Sequence, residues 1–170
     1  MAQYVPSFHL HYGLPDKETV DNFLEQNKGH NLIVLDDLGH ELGSKPDIAS
    51  YFSVGTHHRN FTLVTILQQI FFKGKHAKLM QVNCGYMCLF QQSRDASQVA
   101  TLASQVYPTR WRQFVEAYED ATSKKHQYLV VDTRPYVSEE RKLLANILPG
   151  EETTVYILSK SIRTTNPKKY

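Results

Sequence analysis

The sequence predicts an α/β fold in which a mostly parallel sheet is flanked by helices. Two patterns lead there. Short apolar runs recur at residues 32–36 (LIVLD), 61–67 (FTLVTIL), 86–90 (YMCLF) and 128–132 (YLVVD), and amphipathic stretches of helix length fall between several of them. Continuous apolar runs belong to strands covered on both faces, and helix-length connections between strands make βαβ units. In such sheets ligands collect at the carboxyl ends of strands, so the polar residues found there become the candidates for chemistry.

Taken in order, Asp16 follows Pro15 and can cap a helix whose Val20, Phe23 and Leu24 share a face, with Gly29 ending it. The first strand, 32–36, has four consecutive aliphatics and no polar face. Ser44 and Asp47 have the spacing of a capping box, with Ile48, Tyr51 and Phe52 as an apolar stripe up to Gly55. The second strand is rich in β-branched residues. Asp95 then caps a helix carrying Val99, Leu102, Ala103 and Val106, which Pro108 stops. Trp111, Phe114, Val115 and Tyr118 repeat the helical spacing in a second helix begun at Thr109. Residues 136–150 are ambiguous, and 154–158 (TVYIL) is a possible fifth strand.

Composition narrows the class. A chain of 170 residues can bury one core, and 41% hydrophobic with 21% charged residues fits neither a disordered nor a membrane protein. No run of 18 apolar residues occurs, and the start MAQYVPSFHLHYG lacks a basic stretch followed by an apolar one. Only Cys84 and Cys88 are present, which suits a reducing compartment. The expectation is a soluble, intracellular protein, cytoplasmic or nuclear, not secreted and without a membrane partner. The net charge of +2 is too mild to announce a nucleic-acid binder. Positive charge is uneven, however. Residues 159–170 hold Lys160, Arg163, Lys168 and Lys169 and no acid, as a solvated terminus or a weak phosphate contact would. Lys73, Lys75, His76 and Lys78 form a second basic cluster, expected in a connecting loop.

Four groups could carry chemistry. Asp36 and Asp37 end the first strand, where a hard cation finds oxygen ligands, although an acid pair there also serves as a surface cap. Gln69, with Gln68, lies just past the second strand; an amide there can donate to phosphate and accept from water, and it can equally be a solvated spacer. Arg59, in THHRN at 56–60, precedes the second strand where a guanidinium can reach phosphate. Arg94 stands in SRD at 93–95 and could meet phosphate or a partner subunit. A zinc site on His57, His58, Cys84 and Cys88 is a weaker reading, because adjacent histidines point apart and strand cysteines behave as small hydrophobes. His9 and His11 share one side of an extended segment without a further ligand nearby.

The order of these segments says more than any one of them. LIVLDDL, a helix, SVGTHHRNFTLVTILQQIFF, NCGYMCLF, QSRDASQVATLASQVYP and QYLVVD, preceded by GLP at 13–15, together resemble the packaging ATPases of the FtsK–HerA superfamily. The likeness is to those of DNA viruses and Maverick or Polinton transposons, and it spans about residues 10–150. It implies a P-loop NTPase-like fold of the RecA/FtsK kind, with residues 1–158 as a partial ATPase core and 159–170 as a basic tail. It further implies that Asp36 coordinates Mg²⁺, that Asp37 is the catalytic acid beside it, and that Gln69 is the sensor glutamine. Arg59 would be the arginine offered to the next subunit's nucleotide. ATP and Mg²⁺ as cofactors, double-stranded DNA as partner and a homo-oligomeric ring all follow from the resemblance, as does ATP-driven DNA translocation.

This chain departs from that family in three places. It has Asp37 where many relatives use Glu, and QQI where the pattern usually reads TQN. It also contains no GxxxxGK followed by Ser or Thr, the loop whose amides and lysine cradle phosphates; Gly74-Lys75 is followed by His76. The family places that loop before the acid strand, so the chain reads as N-terminally incomplete: a truncated, decayed or domesticated ATPase core. Carboxylates without a phosphate cradle repel ATP, so the chain by itself is expected neither to bind nor to hydrolyse it. The alternative is a non-catalytic oligomerisation or DNA-interaction module of the same descent.

Overall fold

The structure, a computed structural model, describes residues 8–44, 46, 50–52, 60–92, 94 and 96–159. The chain divides into two compact units, 1–84 and 85–170.

The first unit opens with α1 (Lys17–Gln26). As the sequence predicts, Asp16 caps it: the carboxylate accepts from the Thr19 backbone N–H at 2.8 Å. The helix ends where Asn27 turns out of it, the Asn27 amide donating to the Phe23 carbonyl at 2.7 Å. Then come β1 (Asn31–Asp36), the single turn α2 (Gly39–Leu42), β2 (Phe61–Ile66) and α3 (Ala77–Val82). β1 and β2 pair in parallel, in register from Asn31 opposite Phe61 to Asp36 opposite Ile66. Leu14, Val20, Leu35, Leu42, Tyr51, Phe61 and Met80 are buried together as the core of this unit. Within it the Tyr51 and Phe61 rings meet edge to face, and the Tyr51 hydroxyl donates to Asp21 at 3.0 Å.

Two expectations change here. The aliphatic run of β1 is covered on one face only: Leu35 is buried, whereas Leu32 is 60% and Val34 49% exposed. Val64 and Ile66 on β2 continue that open face. A run of four aliphatics carries no polar residue to mark an uncovered side, so the sequence cannot distinguish the two cases. Ser44 also points backward, donating to the Glu41 carbonyl at 2.7 Å; Asp47, its expected capping partner, lies outside the described residues.

The second unit runs β3 (Tyr86–Phe90), α4 (Ala96–Val106), α5 (Trp111–Ala121), β4 (Tyr128–Asp132), β5 (Leu143–Ala145) and β6 (Thr154–Val155). Its four strands form one sheet in the order β3-β4-β5-β6, every neighbouring pair antiparallel. The fold is therefore mixed α/β, with parallel pairing confined to β1–β2 among the described strands. The reason lies in the β3–β4 connection. One crossover helix returns the chain to the end it left, but α4 and α5 are two helices of 11 residues, each about the length of a strand. Two traverses bring the chain back pointing the other way. Phe114, Leu129, Val131 and Leu143 are fully buried at the centre of this unit. The ambiguous stretch 136–150 resolves into a 3-10 turn (Glu139–Arg141) and β5.

Candidate functional site

Asp36 is the last residue of β1 and Asp37 follows it; both are exposed. The parallel register sets Asp36 opposite Ile66, the last residue of β2. Gln69 comes three positions after Ile66 and is also exposed. The segments carrying the acid pair and the amide thus leave the sheet at one edge, the carboxyl end of both strands. The backbone N–H of Asp37 extends the ladder by one bond, donating to the Ile66 carbonyl at 3.1 Å. Asp37 itself has φ 56, a left-handed conformation that Asp tolerates better than most side chains. That turn ends the strand and sends the chain into α2.

The donor set at this edge suits one ligand class. Two carboxylates and an amide offer hard oxygens, and Mg²⁺ is commonly held by one or two carboxylates with water completing its shell. Among the described residues no group of three or more His, Cys, Asp and Glu is arranged to hold a metal. A cation here would accordingly keep most of its water. The phosphate chain of ATP is a different matter: no residue run in the chain supplies the amide cradle it requires.

The remaining candidates fall elsewhere. Arg59, His57, His58 and Asp95 lie outside the described residues, as do residues 160–170 of the basic tail. Arg94 is exposed between two undescribed neighbours. Cys88 sits on β3 and is exposed, with burial of the sulfur pushing its thiol pKa up, while Cys84 precedes the strand and is half-buried. The His11 Nδ1 donates to the Gly13 carbonyl at 3.4 Å, and the His9 ring lies 6.3 Å from that of Phe23. Lys73 and Lys75 are exposed in the loop after β2, as expected, but Lys78 belongs to α3.

A second aspartate is structurally more distinctive than any of these. Asp132 ends β4 and is 3% exposed. The Arg134 guanidinium donates to its two carboxylate oxygens at 2.7 and 2.9 Å, and the Arg134 backbone N–H adds a bond at 3.1 Å. Those hydrogen bonds hold the Asp132 carboxyl below its ordinary pKa. The guanidinium carbon lies 4.4 Å from the Tyr86 ring centroid and 5.1 Å from that of Tyr136. The sequence contains a signal for this pair, an acid closing an aliphatic strand with an arginine two residues on, but nothing in it marks the aspartate as buried. With its charge matched, this carboxylate is a brace for the end of β4 rather than a metal ligand.

No protein-family model matches the chain, and no curated protein or solved structure is significantly similar to it.

Proposed function

We propose that the chain is a P-loop NTPase-like, packaging-ATPase-related protein of the FtsK–HerA kind, with the acid edge of β1–β2 as its Mg²⁺ site. In this reading Asp36 binds the cation, Asp37 polarises a water beside it, and Gln69 bonds that water or a phosphate oxygen. Arg59 serves a neighbouring subunit, and double-stranded DNA is the substrate of a homo-oligomeric ring. One observation carries the reading: the parallel register delivers Asp36, Asp37 and the segment bearing Gln69 to the same edge. The chain contains no phosphate cradle, so ATP hydrolysis requires that loop from outside these residues.

The test is a titration with Mn²⁺, a spectroscopically visible substitute for Mg²⁺, followed by proton relaxation. The wild-type chain should bind it, and Asp36→Asn should weaken binding by at least about tenfold, as loss of a charged oxygen ligand requires. Unchanged binding in Asp36→Asn overturns the reading.

The open face of β1–β2 favours a second reading, a non-catalytic association module. Leu32, Val34, Val64 and Ile66 are exposed on a sheet type that is ordinarily covered on both faces. That reading predicts concentration-dependent sedimentation that Val34→Lys with Ile66→Lys reduces, and indifference to Asp36→Asn.

A further inference from the structure

Strand side chains alternate between the two faces of a sheet, and β1 and β2 sort theirs cleanly. Ile33, Leu35, Phe61 and Leu63 pack into the core of the first unit. The opposite row is Leu32, Val34 and Asp36 on β1 with Thr62, Val64 and Ile66 on β2, and every one of these is exposed. The parallel register sets Leu32 beside Thr62, Val34 beside Val64 and Asp36 beside Ile66. The open face is thus an apolar field with a carboxylate at one end. Asp36 stands on that face at the carboxyl end of the strands, and Asp37, also exposed, follows it. At the amino end the His30 ring bridges Asn60 Oδ1 at 2.9 Å and Thr62 Oγ1 at 2.7 Å, so hydrogen-bonded side chains close that border.

The face has the dimensions of one helix. Each strand is six residues long, about 20 Å at the usual rise, and the two run about 5 Å apart. A helix of about 13 residues is equally long and about 10 Å across. Helices are also what ordinarily cover parallel strands, whereas sheets stacked face to face are the habit of antiparallel sandwiches. Charge narrows the occupant further. Asp36 and Asp37 attract cationic side chains, or the positive N-terminal end of the helix itself, to the carboxyl end of the face.

A second copy does not supply such a helix from its described elements. α1, α4 and α5 bury Val20, Val99, Leu102, Phe114 and Tyr118 in their own units. α3 leaves Leu79 and Val82 exposed, but at six residues it covers less than half of the face.

We infer that the open face of β1–β2 binds one amphipathic helix of a partner protein. Its apolar stripe lies along Leu32, Val34, Val64 and Ile66, and its lysine or arginine side chains meet Asp36 and Asp37. The inference rests on the second reading above, in which this face is an association surface, and adds what covers it.

The experiment titrates a fluorescein-labelled peptide of about 14 residues with the full chain and follows anisotropy. The peptide carries leucine at i, i+3, i+4 and i+7 and lysine in its first turns; a scrambled peptide and one with glutamate for lysine are the comparisons. The leucine–lysine peptide should bind saturably and both comparisons much more weakly. Val34→Ser with Ile66→Ser should abolish binding. Asp36→Asn with Asp37→Asn should weaken it about three- to fivefold at low salt, the scale of one or two exposed ion pairs. Equal binding of the scrambled peptide, or unchanged affinity in either double variant, overturns the inference. Should the serine variant fail to fold, the asparagine variant still decides. Sedimentation separates this inference from the reading beneath it. Concentration dependence in a chain that ignores the peptide keeps the association surface and overturns the helix. A chain that neither self-associates nor takes the peptide removes both.

Discussion

Two strands of this protein end in aspartate after an aliphatic run, and they have opposite fates. In the first unit, β1 delivers Asp36 to an exposed edge of a two-stranded parallel sheet. In the second, β4 delivers Asp132 into the interior, where Arg134 matches its charge through hydrogen bonds as short as 2.7 Å. The surroundings differ in the same sense. β4 has a strand on each side and buries every residue from Leu129 to Asp132, whereas β1 has one partner among the described strands and leaves Leu32 and Val34 open. A carboxylate that must be desolvated needs its own counter-ion nearby; one at an open edge keeps its water and can exchange it for a ligand. The contrast separates an aspartate that serves the fold from one free to serve chemistry.

The largest test of that contrast lies in the cores. Phe114→Ala, at a fully buried position in the second unit, should cost about 3–5 kcal/mol. Val34→Ala on the open face of β1 should change stability by less than about 0.5 kcal/mol. Urea unfolding followed by far-ultraviolet dichroism reads both; comparable losses would erase the distinction between a closed and an open sheet.

The next concerns the two aspartates themselves. Asp132→Asn should be clearly destabilising, because the buried carboxylate loses the charge that the Arg134 guanidinium matches. Asp36→Asn should be nearly neutral for stability. The pH dependence follows from the depressed carboxyl of Asp132. A folded pKa below the ordinary value of 3.8 makes its contribution full above that value and progressively lost as the solution is acidified through the folded pKa. The acid limb of the wild-type stability curve should therefore be steeper than that of Asp132→Asn.

The smallest effect comes from a third carboxylate, paired yet accessible. The Tyr156 hydroxyl donates to Asp120 at 2.6 Å, and burial together with that carboxylate pushes the phenol pKa up to about 12. Here the raised value stabilises the neutral form. The contribution is complete below pH 10 and disappears as pH climbs from there towards 12. Tyr156→Phe should cost less than about 1 kcal/mol and remove one late-titrating phenol from the ultraviolet titration.

Much of this architecture was legible in the residues. Strands at 31–36, 61–66, 86–90 and 128–132 coincide with the apolar runs, and Asp16 and Pro108 mark helix ends where their chemistry requires. Strand direction was not legible, because an apolar run has no polarity and the two-helix connection 96–121 can be read as crossover or hairpin. β5 escaped notice because LLA is only three residues long, inside a stretch of mixed charge. α3 was hidden similarly, its face reduced to Ala77 and Met80. At the candidate site, Asp36, Asp37 and Gln69 could be named from strand ends alone. The burial of Asp132 against Arg134 could not, since spacing does not disclose which strand end is covered.

The register of β1 and β2 also determines when this edge can exist. Each paired residue is 30 positions from its partner, Asn31 from Phe61 through Asp36 from Ile66. The C-terminal pairs are far more local, Ala145 with Thr154 and Leu144 with Val155. Closing the longer loop costs about 1 kcal/mol more in chain entropy, and no partial ladder repays it before both strands meet. During synthesis and refolding, the hairpin near the C-terminus can zip locally, whereas Asp36 and Gln69 remain strangers until a long stretch of chain has been gathered in.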